Sequence, residues 1–335
     1  MEHLLAALRA LAEAPRLRLV ALCARGGELT VTELTQILGQ SQPRVSRHLK
    51  LLCDAGLLER FREGSWVFYR LNQSGPAGSF VTRLVADCDD ADPVLALDLQ
   101  RLAAIKSQRA DFAAAYFRAN AANWHRIRSL YVDEHEVEAA VVDIIEHVNP
   151  RDLLDIGTGT GRMLEILGSQ VQHALGIDQS REMLGMARVN LERAGLANAR
   201  VRLGDMYQLA LADASFDAVV IHQVLHYADR PAAVIAEAAR VLRPQGALVL
   251  VDFAPHGLEF LRDEQAHRRL GFADGEIAEW CRAAGLNPTP PRPLPGDPLT
   301  VVIWAAARQG NPGDRRSVGA LRESAPLPVL EGEMH

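Results

Sequence analysis

Residues 151–161, Arg-Asp-Leu-Leu-Asp-Ile-Gly-Thr-Gly-Thr-Gly, constrain this chain more than any other stretch. A short apolar run passes straight into a glycine turn, and 163–167 continues with helical spacing. That is the strand, turn and helix start of a nucleotide-binding α/β unit. Glycine at such a turn removes the Cβ that would fill a ligand's place. Residues 200–203, 217–221 and 247–251 are further short apolar strands alternating with helical patterns. The expected product is a parallel, doubly wound α/β sheet.

Two cofactor classes compete for the turn. A dinucleotide fingerprint wants G-x-G-x-x-G, and counting from Gly157 the third glycine falls on Arg162. The spacing present is G-x-G-x-G, with Asp155 two residues before it. Further on come Asp178 ending Leu-Gly-Ile-Asp, Gly204-Asp205-Met206, Phe216-Asp-Ala-Val-Val220 and Arg240-Val-Leu-Arg-Pro-Gln-Gly246. In that order the set resembles the class I S-adenosylmethionine methyltransferases, over roughly 110–308, and is nearest to their small-molecule, ubiquinone-type branch. The resemblance implies a Rossmann-like methyltransferase domain over 148–308.

The resemblance also implies that S-adenosylmethionine, or its product S-adenosylhomocysteine, is held by Asp155, Gly157, Thr158, Gly159, Gly161, Asp178, Gln179, Gly204, Asp205, Met206 and His222. An ionised Asp178 can accept from both ribose hydroxyls; by family position Asp205 meets the adenine amine, Met206 its ring. Methyl transfer needs alignment and, for a protonated acceptor, a base. His226 is the candidate base. His222 and His226 are four residues apart, a spacing that would put both on one helix face, although no third ligand accompanies them as a metal pair. His256 and His267 to Arg269 lie where an acceptor pocket is shaped, or else on a solvated helix. No Asn-Pro-Pro-Tyr or Asp-Pro-Pro-Tyr motif follows the fourth strand, and the cysteine set of arsenite methylation is missing. Nucleic-acid or protein-amide methylation and arsenite methylation are therefore disfavoured.

At 335 residues the chain has room for two domains. No apolar run reaches membrane-spanning length and the first residues lack a signal-type core, so the cytoplasm is expected. Cys23, Cys53, Cys88 and Cys281 are scattered without a C-x-x-C pair, which argues against disulfides and thiolate metal clusters. Net charge is −6, yet residues 1–86 carry eleven Lys and Arg against seven Asp and Glu. The basic end is the one to read for nucleic acid.

There, 4–25 has helical spacing broken at Pro15, Thr30-Val-Thr-Glu33 fits a capping box, and 33–38 stops at Gly39. Ser41 is a candidate N-cap for a second helix over 42–54. Two β-rich runs, 58–62 and 66–71, flank Glu63-Gly64-Ser65 as a hairpin. Helix, turn, helix and wing over 1–88 resemble the ArsR-type winged helix-turn-helix repressors, an α+β fold, through Ser41-Gln-Pro-Arg-Val-Ser-Arg-His-Leu-Lys50. Val45, Leu49 and Leu52 should face the core, leaving Ser41, Gln42, Arg44, Ser46, Arg47 and Lys50 for a DNA groove, with Arg60, Arg62 and Arg70 on the wing for phosphates. A solvated surface is the plainer reading of such charges. Where arsenic-sensing members carry Glu-Leu-Cys-Val-Cys-Asp-Leu, this chain has Glu28-Leu-Thr-Val-Thr-Glu-Leu34, and 80–110 holds no histidine. Hydroxyls replace thiolates poorly, so no metal is expected.

Residues 89–147 are read as helical connector, dimer helix and lid, the lid being 116–131 with Trp124, and 309–335 as a disordered tail. Three functions fit a fused chain that dimerises and binds operator DNA. It is a regulator whose methyltransferase domain also methylates a small molecule, a regulator using the fold only to sense S-adenosylmethionine or S-adenosylhomocysteine, or an enzyme whose winged helix only mediates dimer contacts.

Overall fold

A computed structural model describes residues 2–63, 66–72, 77–120 and 134–309. The lid residues 121–131, Trp124 included, and the tail from 310 lie outside them. Contacts divide the chain into two units: Met1–Tyr116 with Tyr227–Arg230 and Gly257–Leu270, and Phe117–His226 with Pro231–His256 and Gly271–His335. The stretch read as connector is thus divided, with 89–116 in the first unit and 117–147 in the second.

The first unit runs α1 (Glu2–Leu11), α2 (Ala14–Gly26), β1 (Leu29–Thr30), α3 (Val31–Leu38), α4 (Gln42–Asp54), β2 (Leu58–Glu63), β3 (Trp66–Leu71), α5 (Gly78–Ala86) and the start of α6 (Pro93–Asn120). The capping box forms as read: Thr30 Oγ1 accepts from the Glu33 N–H at 3.3 Å, and Glu33 Oε2 from the Thr30 N–H at 2.8 Å. Gly39 ends α3 in the left-handed region at φ 64°. Ser41 occupies the N-cap position of α4, but its side chain caps nothing. Pro43 has no N–H to offer, and the Arg44 N–H is donated to the Ser41 carbonyl at 3.0 Å. Val45, Leu49 and Leu52 are buried in one cluster with Leu19, Leu22, Leu34 and Ile37. Each such side chain contributes about 1.5–3 kcal/mol on burial. The strands form an antiparallel sheet in the order β1-β3-β2, with β2 and β3 as the wing.

Two later segments complete this unit. Glu28, buried, takes an ion pair from Arg269 at 2.9 Å and another from Arg70 at 3.3 Å. Asp229 pairs with Arg268 at 2.7 Å and Arg109 at 2.8 Å, and Arg109 also binds Glu33. The Arg262 guanidinium lies 4.5 Å from the Trp66 ring centre, and Arg269 lies 5.1 Å from that of Phe61. Residues 267–269 are not a solvated helix: all three are buried, outside any helix.

The second unit holds α7 (Glu134–Val148), β4 (Asp152–Ile156), α8 (Arg162–Leu167), β5 (His173–Asp178), α9 (Arg181–Arg193), β6 (Ala199–Leu203), β7 (Phe216–His222), α10 (Pro231–Val241) and β8 (Leu242–Phe253). After α11 (Phe260–Glu264), which belongs to the first unit, come α12 (Asp274–Ala283), β9 (Leu286–Pro288), β10 (Arg292–Leu294) and β11 (Val301–Arg308). The sheet order is β10-β11-β8-β7-β4-β5-β6, with β9 on β11. Strands β6, β5, β4, β7 and β8 are parallel; β4 and β7 are buried at their centres, as continuous apolar runs such as Val219–Ile221 require, while β6 is an exposed edge. The sheet is not parallel throughout, because β11 meets β8 antiparallel. The chain reaches β11 from β10 by a short return, and a parallel neighbour would need a crossover. Strand order reverses beside β4, at the β4/β7 switch point, where sheets of this kind open a crevice at their carboxyl ends.

Candidate cofactor site and nucleic-acid face

The glycine loop leaves the carboxyl end of β4 at that switch point. Gly157, Gly159 and Gly161 have φ of 73°, 54° and 85°. A Cβ on Gly157 would lie 2.4 Å from a methyl of Val224, so the position is closed to side chains twice over. The loop is held on every side. The N–H groups of Gly157 and Thr158 both donate to the Ile177 carbonyl, at 2.7 and 3.0 Å. Asn190 donates to the Thr160 carbonyl at 3.0 Å. Behind it Arg162 grips the buried Glu138 through two bonds of 2.7 Å, and that hydrogen bonding holds the arginine above its ordinary pKa.

Asp178 ends β5 and faces the loop. Its Oδ2 accepts from the Gly159 N–H at 2.9 Å and its Oδ1 from the Ser180 N–H at 2.8 Å. Burial pushes its pKa up, and the backbone hydrogen bonds only partly oppose the shift. The Gln179 N–H also bonds this carboxylate, whose two oxygens together still keep lone-pair capacity. Gly204 donates to the Asp178 carbonyl at 3.0 Å, which brings the end of β6 alongside. There exposed Asp205 accepts from the Tyr207 N–H at 2.9 Å and the Gln179 amide at 3.2 Å, with half-buried Met206 next to it. Asp155 is buried one residue before the end of β4, and the buried Thr158 hydroxyl has no partner among the described residues. A carboxylate ready for a diol, a turn with three glycines and a second, exposed carboxylate fit an adenosyl group.

His222 and His226 do not share a helix face. His222 is the buried last residue of β7, and Gln223, at φ 52°, turns the chain into a short 3₁₀ segment carrying His226. The partner of His226 escapes sequence reading: Asp252, near the end of β8. Its Oδ1 lies 2.8 Å from His226 Nδ1, and its Oδ2 accepts from the His226 main-chain N–H at 3.1 Å. A lone carboxylate ending the apolar run Leu248-Val-Leu-Val251 was the available signal, since burying one there is costly unless it is hydrogen-bonded.

On the first unit Ser41, Gln42, Arg44, Arg47 and Lys50 are exposed along α4, and Ser46 is half-buried. Arg62 and Arg60 are exposed on β2. Arg70 is committed elsewhere: Glu59 at 2.8 Å and Glu28 at 3.3 Å hold it inside the unit, so it is not the phosphate contact read from sequence.

Residues 154–250 match the family model of a methyltransferase domain, and residues 8–60 that of the bacterial regulatory proteins of the arsR family. The arsenic resistance transcriptional regulator ArsR1 of Pseudomonas putida is 50% identical over 68 residues, 20% of this chain and 53% of that protein. An arsenite methyltransferase of Aquipseudomonas alcaligenes is 37% identical over 195 residues, 53% of this chain and 55% of its own length. The chain thus spans about half the length of these two relatives. A ubiquinone biosynthesis O-methyltransferase of Aromatoleum aromaticum is 28% identical over 202 residues, 56% of this chain and 86% of that protein.

Proposed function

We propose, from the premise that this chain joins an ArsR-family helix-turn-helix domain to a class I methyltransferase domain, that it is a DNA-binding regulator whose second domain methylates a small molecule. The observation that carries the reading is the Asp178 carboxylate locked to the Gly159 N–H beside a turn whose three glycines leave its backbone open. When bound, S-adenosylmethionine supplies a methyl group already activated on a sulfonium. The chain's own part is placement: Asp178 takes the ribose hydroxyls, Asp205 and Met206 the adenine, and the glycine loop the methionyl side, with His222 and Asp155 close to the carboxyl end of the crevice. A fixed geometry of this kind lowers the barrier by alignment.

The acceptor is organic on this reading. Cys281 is the single cysteine of the second unit, buried with its pKa pushed up to about 11 by burial, so no set of thiolates is offered to arsenite. On the first unit, the exposed side of α4 enters a major groove of operator DNA, and Arg62 meets a phosphate. Exposed Leu4, Leu5 and Leu8 on α1 and Val94 and Leu97 on α6 support self-association through this unit. Titration calorimetry of the full chain with S-adenosylmethionine, and salt-dependent binding to the DNA upstream of its own gene, test the two halves. Unaltered cofactor affinity in Asp178→Ala would remove the first, and absence of salt-dependent binding the second.

A further inference from the structure

We propose that residues 224–230 are a relay through which the glycine loop biases the helix-turn-helix, so that S-adenosylmethionine or S-adenosylhomocysteine changes operator affinity. This rests on the cofactor reading of the loop and adds to it a regulatory output. The relay starts against the loop itself: Val224 fills the space that a Cβ on Gly157 would take. Gln223, one residue earlier, has φ 52°, a conformation that residues other than glycine rarely adopt, and its N–H donates to the Val251 carbonyl at 2.7 Å. Such turns persist only where their surroundings hold them, so the turn and the packing of Val224 are set together. The chain then leaves the second unit between His226 and Tyr227.

Within the first unit, residues 227–230 meet α3 and the wing through charge. Asp229 Oδ1 binds Arg268 Nε at 2.7 Å and Arg109 Nη1 at 2.8 Å. Arg109 binds Glu33 Oε1 with its other terminal nitrogen, while Glu33 Oε2 accepts from the Thr30 N–H at 2.8 Å. The carboxylate that caps α3 is thus shared with an arginine that Asp229 positions. The stem of Arg230 lies where a Cβ on Gly27 would go, and Arg268 donates to the Glu28 carbonyl. Gly27 and Glu28 lead directly into β1, which pairs with the wing strand β3. One four-residue segment therefore reaches the residues that set both the start of α3 and the edge of the wing.

Burial gives this wiring its leverage. The side chains of Arg268, Glu33 and Asp229 are 7%, 14% and 23% exposed, so water screens their pairs little. A displacement of Asp229 therefore changes the pull of Arg109 on Glu33 more than the same displacement would in bulk water. A ligand shifts an equilibrium only through contacts that differ between two states. Here the differing contact is that between Gly157 and Val224, since a loop fixed around a cofactor and a loop without one do not press on Val224 alike. Linkage makes the effect reciprocal: operator DNA changes cofactor affinity by the same factor.

The test uses the full chain, a duplex from the DNA upstream of its own gene, and S-adenosylhomocysteine. Saturating S-adenosylhomocysteine is expected to change the duplex dissociation constant by about 5- to 150-fold, and saturating duplex to change S-adenosylhomocysteine affinity by the same factor in calorimetry. Asp229→Asn should bind S-adenosylhomocysteine without DNA within about twofold of wild type, yet show a ligand effect on duplex binding below about twofold. If Asp229→Asn does not fold, Arg109→Gln, which cuts the same link on the side of Glu33, provides the comparison. Wild type that binds both ligands with no coupling between them overturns the proposal, as does a folded Asp229→Asn that keeps the full factor. Failure of wild type to bind S-adenosylhomocysteine alone, or duplex alone, overturns instead the reading of that half and the relay with it.

Discussion

Helix α4 and the glycine loop both offer polar atoms to a ligand, but under opposite conditions. Arg44, Arg47 and Lys50 stand in water, over a buried stripe of Val45, Leu49 and Leu52 that would fold the same way without them. Around the loop, Asp178 is desolvated, tied to two backbone N–H groups, and adjoins a turn that admits no side chain at Gly157. In the first case ligand affinity and stability are separable. In the second they draw on the same atoms.

The contrast sets the order of effects. The largest belongs to a buried group of the first unit: Arg269→Ala should lower unfolding free energy by about 3–5 kcal/mol in urea denaturation, because Glu28 stays buried with one weaker partner. A change below 1 kcal/mol would mean that the cluster is solvated. Next comes Asp178→Ala, with an expected loss in S-adenosylmethionine affinity of about 100-fold by calorimetry, from two hydrogen bonds to a charged group. Its stability should move the other way with pH. Since burial raises the folded-state pKa, this group's contribution is full below the ordinary carboxylate value of about 4 and is lost as pH rises through the raised value. The variant should therefore gain on wild type as thermal unfolding is followed from acid to neutral pH.

Arg44→Ala and Arg47→Ala rank third. Each is expected to weaken operator binding by about 1–3 kcal/mol if it reads a base, with unfolding free energy within about 0.5 kcal/mol of wild type. A large stability loss would erase the distinction between the two sites. Smallest is Lys50→Ala, which should weaken binding uniformly across DNA sequences and reduce the log–log salt slope by about 1.

What the sequence made legible follows the same division. Periodicity located α3, α4 and the wing, since a side chain's face there depends on neighbours three, four or two positions away. The glycine spacing and the strand-ending Asp178 likewise marked their loop from local pattern alone. Partners distant in sequence were another matter. Asp252 lies 26 residues from His226, and Glu28 lies 241 from Arg269. Arg70 looked like a phosphate contact because nothing near it in the chain announces Glu28. Ser41 is a local miss of another sort: a good cap residue followed two places later by a proline that has no N–H to give it.

Residues 257–270 and 227–230 have a further consequence for how this protein can be taken apart. The arginines that answer Glu28 and Asp229 are encoded more than 100 residues beyond the end of α6, so a cut near residue 116 removes Arg268, Arg269 and Asp229 together. An excised N-terminal piece would keep buried Glu28 with Arg70 alone, and Arg109 without Asp229. No single breakpoint releases the first unit intact, because two of its three segments are embedded in the sequence of the second.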